Sequence, residues 1–164
     1  SPGTFVDMLK RRVAESHRFG LPLSVMHLKI DEYEVIKEKY GFAIARQIVD
    51  TAGPALEKSL QETDVLAKLE QGEFAVMLPG KTQSEAGLVA KKMRTTVAGC
   101  ILPMLDRELQ IKFSDGIAQL KPNGRLVMPI GREGYQELVV ATKDAAAGTV
   151  RMRDILPVAF VPLI

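Results

Sequence analysis

Lys68-Leu69-Glu70-Gln71-Gly72-Glu73-Phe74 is the stretch on which the reading of this chain turns. Asp64-Val65-Leu66-Ala67 precedes it and Phe74-Ala75-Val76-Met77-Leu78-Pro79 carries on from it, both apolar and of strand length. Two such runs around a short polar segment containing glycine predict a β-hairpin over Val65–Leu78. A hairpin tip holds its side chains at a sheet edge, so residues 68–74 are candidate site residues as well as a turn.

Outward from the hairpin, periodicity predicts the other elements. Upstream, Phe5, Met8, Leu9 and Val13 recur at helical spacing, giving a helix over Thr4–Phe19 that Gly20-Leu21-Pro22 ends. Leu23–Ile30 is apolar at most positions and reads as a strand covered on both faces. His27 within it is expected to be a packed, hydrogen-bonded histidine, because no second His or Cys lies at metal-ligand spacing. His17 is expected on an exposed helix face. Asp31–Tyr40 is a short helix that Gly41 stops. Ala43–Leu60 is a longer one, with Gly53-Pro54 inside it. Proline removes one intrahelical bond and clashes with the preceding turn, so a kink or local break is expected between Asp50 and Ala55.

Downstream, Ala86, Val89, Ala90, Met93 and Val97 are in register on a helix over Ser84–Val97, with Met93 as core filler. Leu109–Leu120 reads as one strand, and the Pro- and Gly-containing Lys121–Gly134 as an extended loop or flap. A helix is expected over Glu133–Ala147, ended by Gly148, then an edge strand and tail over Val150–Ile164. Strands joined by a hairpin and mixed with helices make an α+β fold, a sheet layered with helices.

Composition narrows the function classes. At 164 residues and 18.0 kDa the chain suits one domain over 1–164. With 46% apolar and 26% charged residues it is globular. No run of eighteen apolar residues occurs, so no membrane span is expected, and no signal peptide is visible. Cys100 is the only cysteine, which excludes an internal disulfide and suits a cytoplasmic location. The net charge of +2 is scattered, with Arg11-Arg12 and Lys91-Lys92 in helical patterns, which argues against a nucleic-acid binder. The start at Ser1-Pro2-Gly3, without methionine, reads as a fragment of a larger protein.

Several spaced blocks together resemble the GGDEF family, the diguanylate cyclases of bacterial signalling. Leu28-Lys29-Ile30-Asp31-Glu32-Tyr33 stands where that family has D-x-D-x-F, and Tyr40-Gly41-Phe42 where it has Y-G-H. Asp64–Phe74 is similar to D-x-x-x-R-x-G-G-D-E-F, and Ile111–Ala118 to a later V-S-x-G-x-A strand. The likeness covers about Phe5 to Ala118 and weakens beyond. It implies a mixed, mostly antiparallel central sheet flanked by helices, like the palm of nucleotide cyclases. Family members condense two GTP molecules into cyclic di-GMP across two facing domains. A divalent ion holds and neutralises the reacting groups, bound by hard carboxylate oxygens.

Carried over residue by residue, that apparatus is missing. Lys29 occupies the metal-binding Asp position, and Gly72 the acidic position of the hairpin. Glu70 and Gln71 replace the two glycines beside the phosphates; Lys37 and Arg46 replace the guanine-reading Asn and Asp. Asp31, Lys68, Glu73 and Phe74 are kept. The inhibitory product site, R-x-x-D in the family, reads Gln61-Glu62-Thr63-Asp64 and lacks its arginine. No metal, cofactor or catalytic residue is therefore expected. Lys29 either takes the metal's place among Asp31, Glu70 and Glu73, or the four are separately solvated.

The expected function is a silent GGDEF-like signalling module. It would act on a protein partner or neighbouring domains of a longer chain, with a homodimer as one form. The alternative is phosphate or nucleotide binding by Lys29, Lys37, Arg46 and Lys68 in the old cleft. A surviving cyclase and a nucleic-acid palm domain are the weaker readings.

Overall fold

The computed structural model describes residues 2–103, 108–120, 125–128, 136–144 and 147–154. The elements run α1 (Pro2–Phe19), β1 (Leu23–Ile30), α2 (Tyr33–Tyr40), α3 (Phe42–Glu57), β2 (Val65–Lys68), β3 (Glu73–Pro79) and α4 (Gln83–Ala98). A small hairpin follows, β4 (Ile101–Pro103) and β5 (Glu108–Gln110), then β6 (Phe113–Gln119). The last described strands are β7 (Arg125–Met128), β8 (Gln136–Asp144) and β9 (Ala147–Asp154). Among the described residues no helix is long and apolar enough to cross a membrane.

The main sheet has the order β2-β3-β1-β6, and its three pairings are all antiparallel. Alternation along β1 and β3 sends side chains to two cores. Met26, Leu28, Ile30, Phe74, Val76 and Leu78 meet α2, α3 and α4 on one face. Leu23, Val25, Ala67, Ala75 and Met77 meet Phe5, Leu9 and Val13 of α1 on the other. Helices on both faces explain why β1 is buried at every position but Lys29. His27, at 5% exposure, is packed as expected, while His17 is half-buried rather than exposed.

Four expectations differ from the structure. The helix over residues 42–57 is continuous through Pro54, so of the kink or local break expected between Asp50 and Ala55 the break does not occur. Ala52, Gly53, Ala55 and Leu56 are all buried there, and an added Cβ on Gly53 would lie 3.5 Å from Lys68 Cε and 3.9 Å from Phe74 Cε1. Burial of Ala52, Ala55 and Leu56 in the core favours the continuous helix, and Pro54 forfeits its one bond on the exposed side. Leu109–Leu120 is two strands, because the chain changes partners: β5 pairs with β4, β6 with β1. At the change-over the Asp31 N–H donates to the Lys112 carbonyl at 2.9 Å.

Among the described residues the helix expected over Glu133–Ala147 does not form. Its described part is β8, which pairs with both β7 and β9. Leu138-Val139-Val140 has the branched side chains that suit a strand, and Gly148 lies in the pairing opposite Thr142. The loop expected over Lys121–Gly134 contains β7; its remainder lies outside the described residues. The edge strand expected after Val150 is β9, and the tail beyond Asp154 lies outside the described residues.

Candidate functional site

The hairpin between β2 and β3 closes with the Leu69 N–H donating to the Glu73 carbonyl at 2.8 Å, and the Glu73 N–H to the Glu70 carbonyl at 3.3 Å. Gln71 and Gly72, its central residues, have φ of 59° and 73°. Positive φ at both is what a tight hairpin following the strand twist requires, and it suits glycine at the second. Gly72 is buried, and its carbonyl accepts the Ile30 N–H at 2.9 Å. A Cβ there would lie 2.6 Å from Cγ and Cδ2 of Tyr33, the first residue of α2. The turn thus lies directly on an aromatic ring that is itself 6% exposed.

The sequence-predicted residues gather at this end of the sheet in three separate groups. In the first, Lys37 Nζ donates to Gln71 Oε1 at 3.1 Å and lies 3.5 Å from Glu34 Oε2. α2 is thereby tied to the hairpin tip. In the second, Lys68 Nζ is 3.2 Å from Asp50 Oδ1, and Arg46 Nε is 3.8 Å from Asp50 Oδ2. All three side chains are more than half exposed, so these pairs are solvated and weak.

The third group is on the α1 face. The register places Lys29 between Glu73 of β3 and Ser114 of β6. The Glu73 carboxylate turns instead toward His27, with Oε2 3.8 Å from Nε2. Asp31 Oδ1 accepts the Ser114 hydroxyl at 2.7 Å. None of the ion pairs of the described residues includes Lys29, so the expected ion cluster of Lys29 with Asp31, Glu70 and Glu73 does not form. The Lys29 side chain is exposed and Glu73 has a nearer neighbour in His27, so hydration of the ammonium prevails. Glu70 is exposed at the start of the turn.

Asp64 also has a structural role. Its side chain is fully covered, accepts Lys81 Nζ at 3.2 and 3.3 Å, and accepts the Gln61 N–H at 2.8 Å. The position that belongs to a product site in the resembling family is thus occupied by an internal ion pair. A cavity of about 480 Å³ lies beyond Asp31, lined by Ile30, Glu32, Ile48 and residues 108–112. Neither the hairpin tip nor the basic residues Lys37, Arg46 and Lys68 line it. Among the described residues no group of three or more His, Cys, Asp or Glu is placed to hold a metal ion.

Sequence reasoning missed Asp50 and the Asp31–Ser114 bond. Asp50 lies four residues after Arg46 on one helix, a spacing that signals a pair. Ser114 is 83 residues from Asp31, and no local pattern links them.

The family model for the diguanylate cyclase GGDEF domain matches residues 3–134. The chain belongs to the GGDEF family. A diguanylate cyclase of Pseudomonas aeruginosa, DgcP, is 26% identical over 117 residues, which is 71% of this chain and 17% of that protein. The GGDEF domain of DgcB from Caulobacter crescentus, solved with c-di-GMP, superposes with a TM-score of 0.67 at 22% identity, covering 73% of this chain and 72% of that one. The GGDEF chain spans about a third or less of the curated relatives it matches.

A second family model, for protein-L-isoaspartate(D-aspartate) O-methyltransferase, matches residues 114–164. The protein-L-isoaspartate O-methyltransferase 1 of Cupriavidus necator is 46% identical over 48 residues, 29% of this GGDEF chain and 18% of that enzyme.

Proposed function

We propose that the GGDEF unit is a catalytically silent signalling module that works through protein contacts. The observation that carries this reading is the packing of Gly72 under Tyr33, at the position that would need an acid. A side chain there meets ring atoms at 2.6 Å on a backbone of positive φ. The second metal position is Lys29, whose ammonium repels a divalent ion. The two acids kept nearby are engaged elsewhere, Asp31 with Ser114 and Glu73 beside His27. This donor set does not suit magnesium, which needs several hard oxygen ligands in near-octahedral array. Incubating the chain with GTP and magnesium is expected to give no cyclic di-GMP by chromatography. Product that disappears in Glu73→Ala would overturn the reading.

The second reading, phosphate or nucleotide binding without turnover, draws support from Lys29, an exposed cation outside the ion pairs of the described residues. Against it, Lys37 and Lys68 already donate to Gln71 and Asp50. Thermal shifts with GTP, GDP and cyclic di-GMP, without metal, separate the two readings. A ligand at 100 times its Kd would add about 2.7 kcal/mol. We place the module in the cytoplasm, acting on neighbouring domains or a second copy; light scattering tests self-association.

A further inference from the structure

The main sheet ends with β6, and the Leu120 N–H still bonds back to the Leu23 carbonyl at 2.8 Å. From Arg125 the described backbone pairs within itself. β7, β8 and β9 form their own three-stranded sheet, with an irregularity between Thr142 and Asp144, and β9 runs beside α1. The likeness changes at the same place. The relatives named as diguanylate cyclases are 22–26% identical to this chain, whereas the methyltransferase relative reaches 46% over its short match. The two family models overlap only across residues 114–134, the stretch from β6 through β7.

From these observations we infer that the chain is composite. A GGDEF-type unit closes at Leu120. A second unit, similar to isoaspartate methyltransferases, follows it and folds as a separate cooperative block. No ladder hydrogen bond joins the two sheets, which leaves the packing of β9 beside α1 as the main coupling between them and makes two cooperative units the physical expectation. This inference does not rest on the silence of the cyclase site.

Hydrogen exchange of the full chain across a urea series, read by mass spectrometry, tests it. The amides of β7–β9 are expected to lose protection at a different urea midpoint from those of β1, β3 and β6. One shared midpoint for all six strands would overturn the two-unit reading. A Val140→Pro variant, which removes a ladder donor in the central strand β8, is expected to abolish protection of β7–β9. The main thermal transition should stay within about 2 °C. A fall of the main transition together with the meander would overturn it equally.

Discussion

Gly72 and Gly80 make a controlled comparison at the scale of one residue. Both have positive φ, 73° and 78°, but only Gly72 has atoms in the path of a Cβ. Gly80→Ala should therefore cost about 1 kcal/mol, the left-handed backbone penalty alone. Gly72→Ala adds displacement of the Tyr33 ring and should cost more than about 3 kcal/mol. Urea denaturation of both variants measures the difference, and equal losses would remove the argument from packing. Asp64 is the other residue whose environment decides its role. Its covered carboxylate takes three hydrogen bonds, and Lys81, at 16% exposure, would keep only Gln61 without it. Asp64→Ala should lower stability by about 2 kcal/mol in the same measurement.

At the scale of the element, α4 shows local and distant determinants acting together. Thr82 Oγ1 accepts the Glu85 N–H at 3.2 Å, and Glu85 Oε1 accepts the Thr82 N–H at 3.2 Å, a reciprocal capping box. Thr82→Ala should cost about 1 kcal/mol, seen as a lower urea midpoint with unchanged slope. Farther along, Arg94 stacks over the Phe113 ring, donates to the Phe113 carbonyl and pairs with Asp115, so α4 is pinned to β6. α3 shows the opposite balance. Pro54 disfavours helix locally, yet the burial of Ala52, Ala55 and Leu56 in the core keeps the helix whole. Tertiary packing decides where propensity and burial disagree.

At the scale of the whole molecule, Phe74 joins both halves of the argument. It is fully buried in the larger core, yet it is the last letter of the hairpin block. Phe74→Ala should cost about 3–5 kcal/mol. Circular dichroism on heating should show the loss across the main sheet, with any meander transition unmoved. That outcome follows from the inferred two units, since a change in one core is then felt only within its own cooperative unit.

The sequence by itself determined the hairpin, the two-faced strand β1, the helices α1 to α4 and the GGDEF family. Each depends on periodicity or on spaced blocks, which are local in the chain. It also named the substituted positions Lys29, Lys37, Arg46, Glu70, Gln71 and Gly72. Only the tertiary structure decided how those side chains sort: Lys37 onto Gln71, Lys68 onto Asp50, Asp31 onto Ser114. Side-chain pairing between strands and helices far apart in the chain depends on register and hydration, and no short pattern encodes it. The same holds for the C-terminal strands, where Leu138–Ala147 fits helix and strand alike until β7 and β9 supply the pairing.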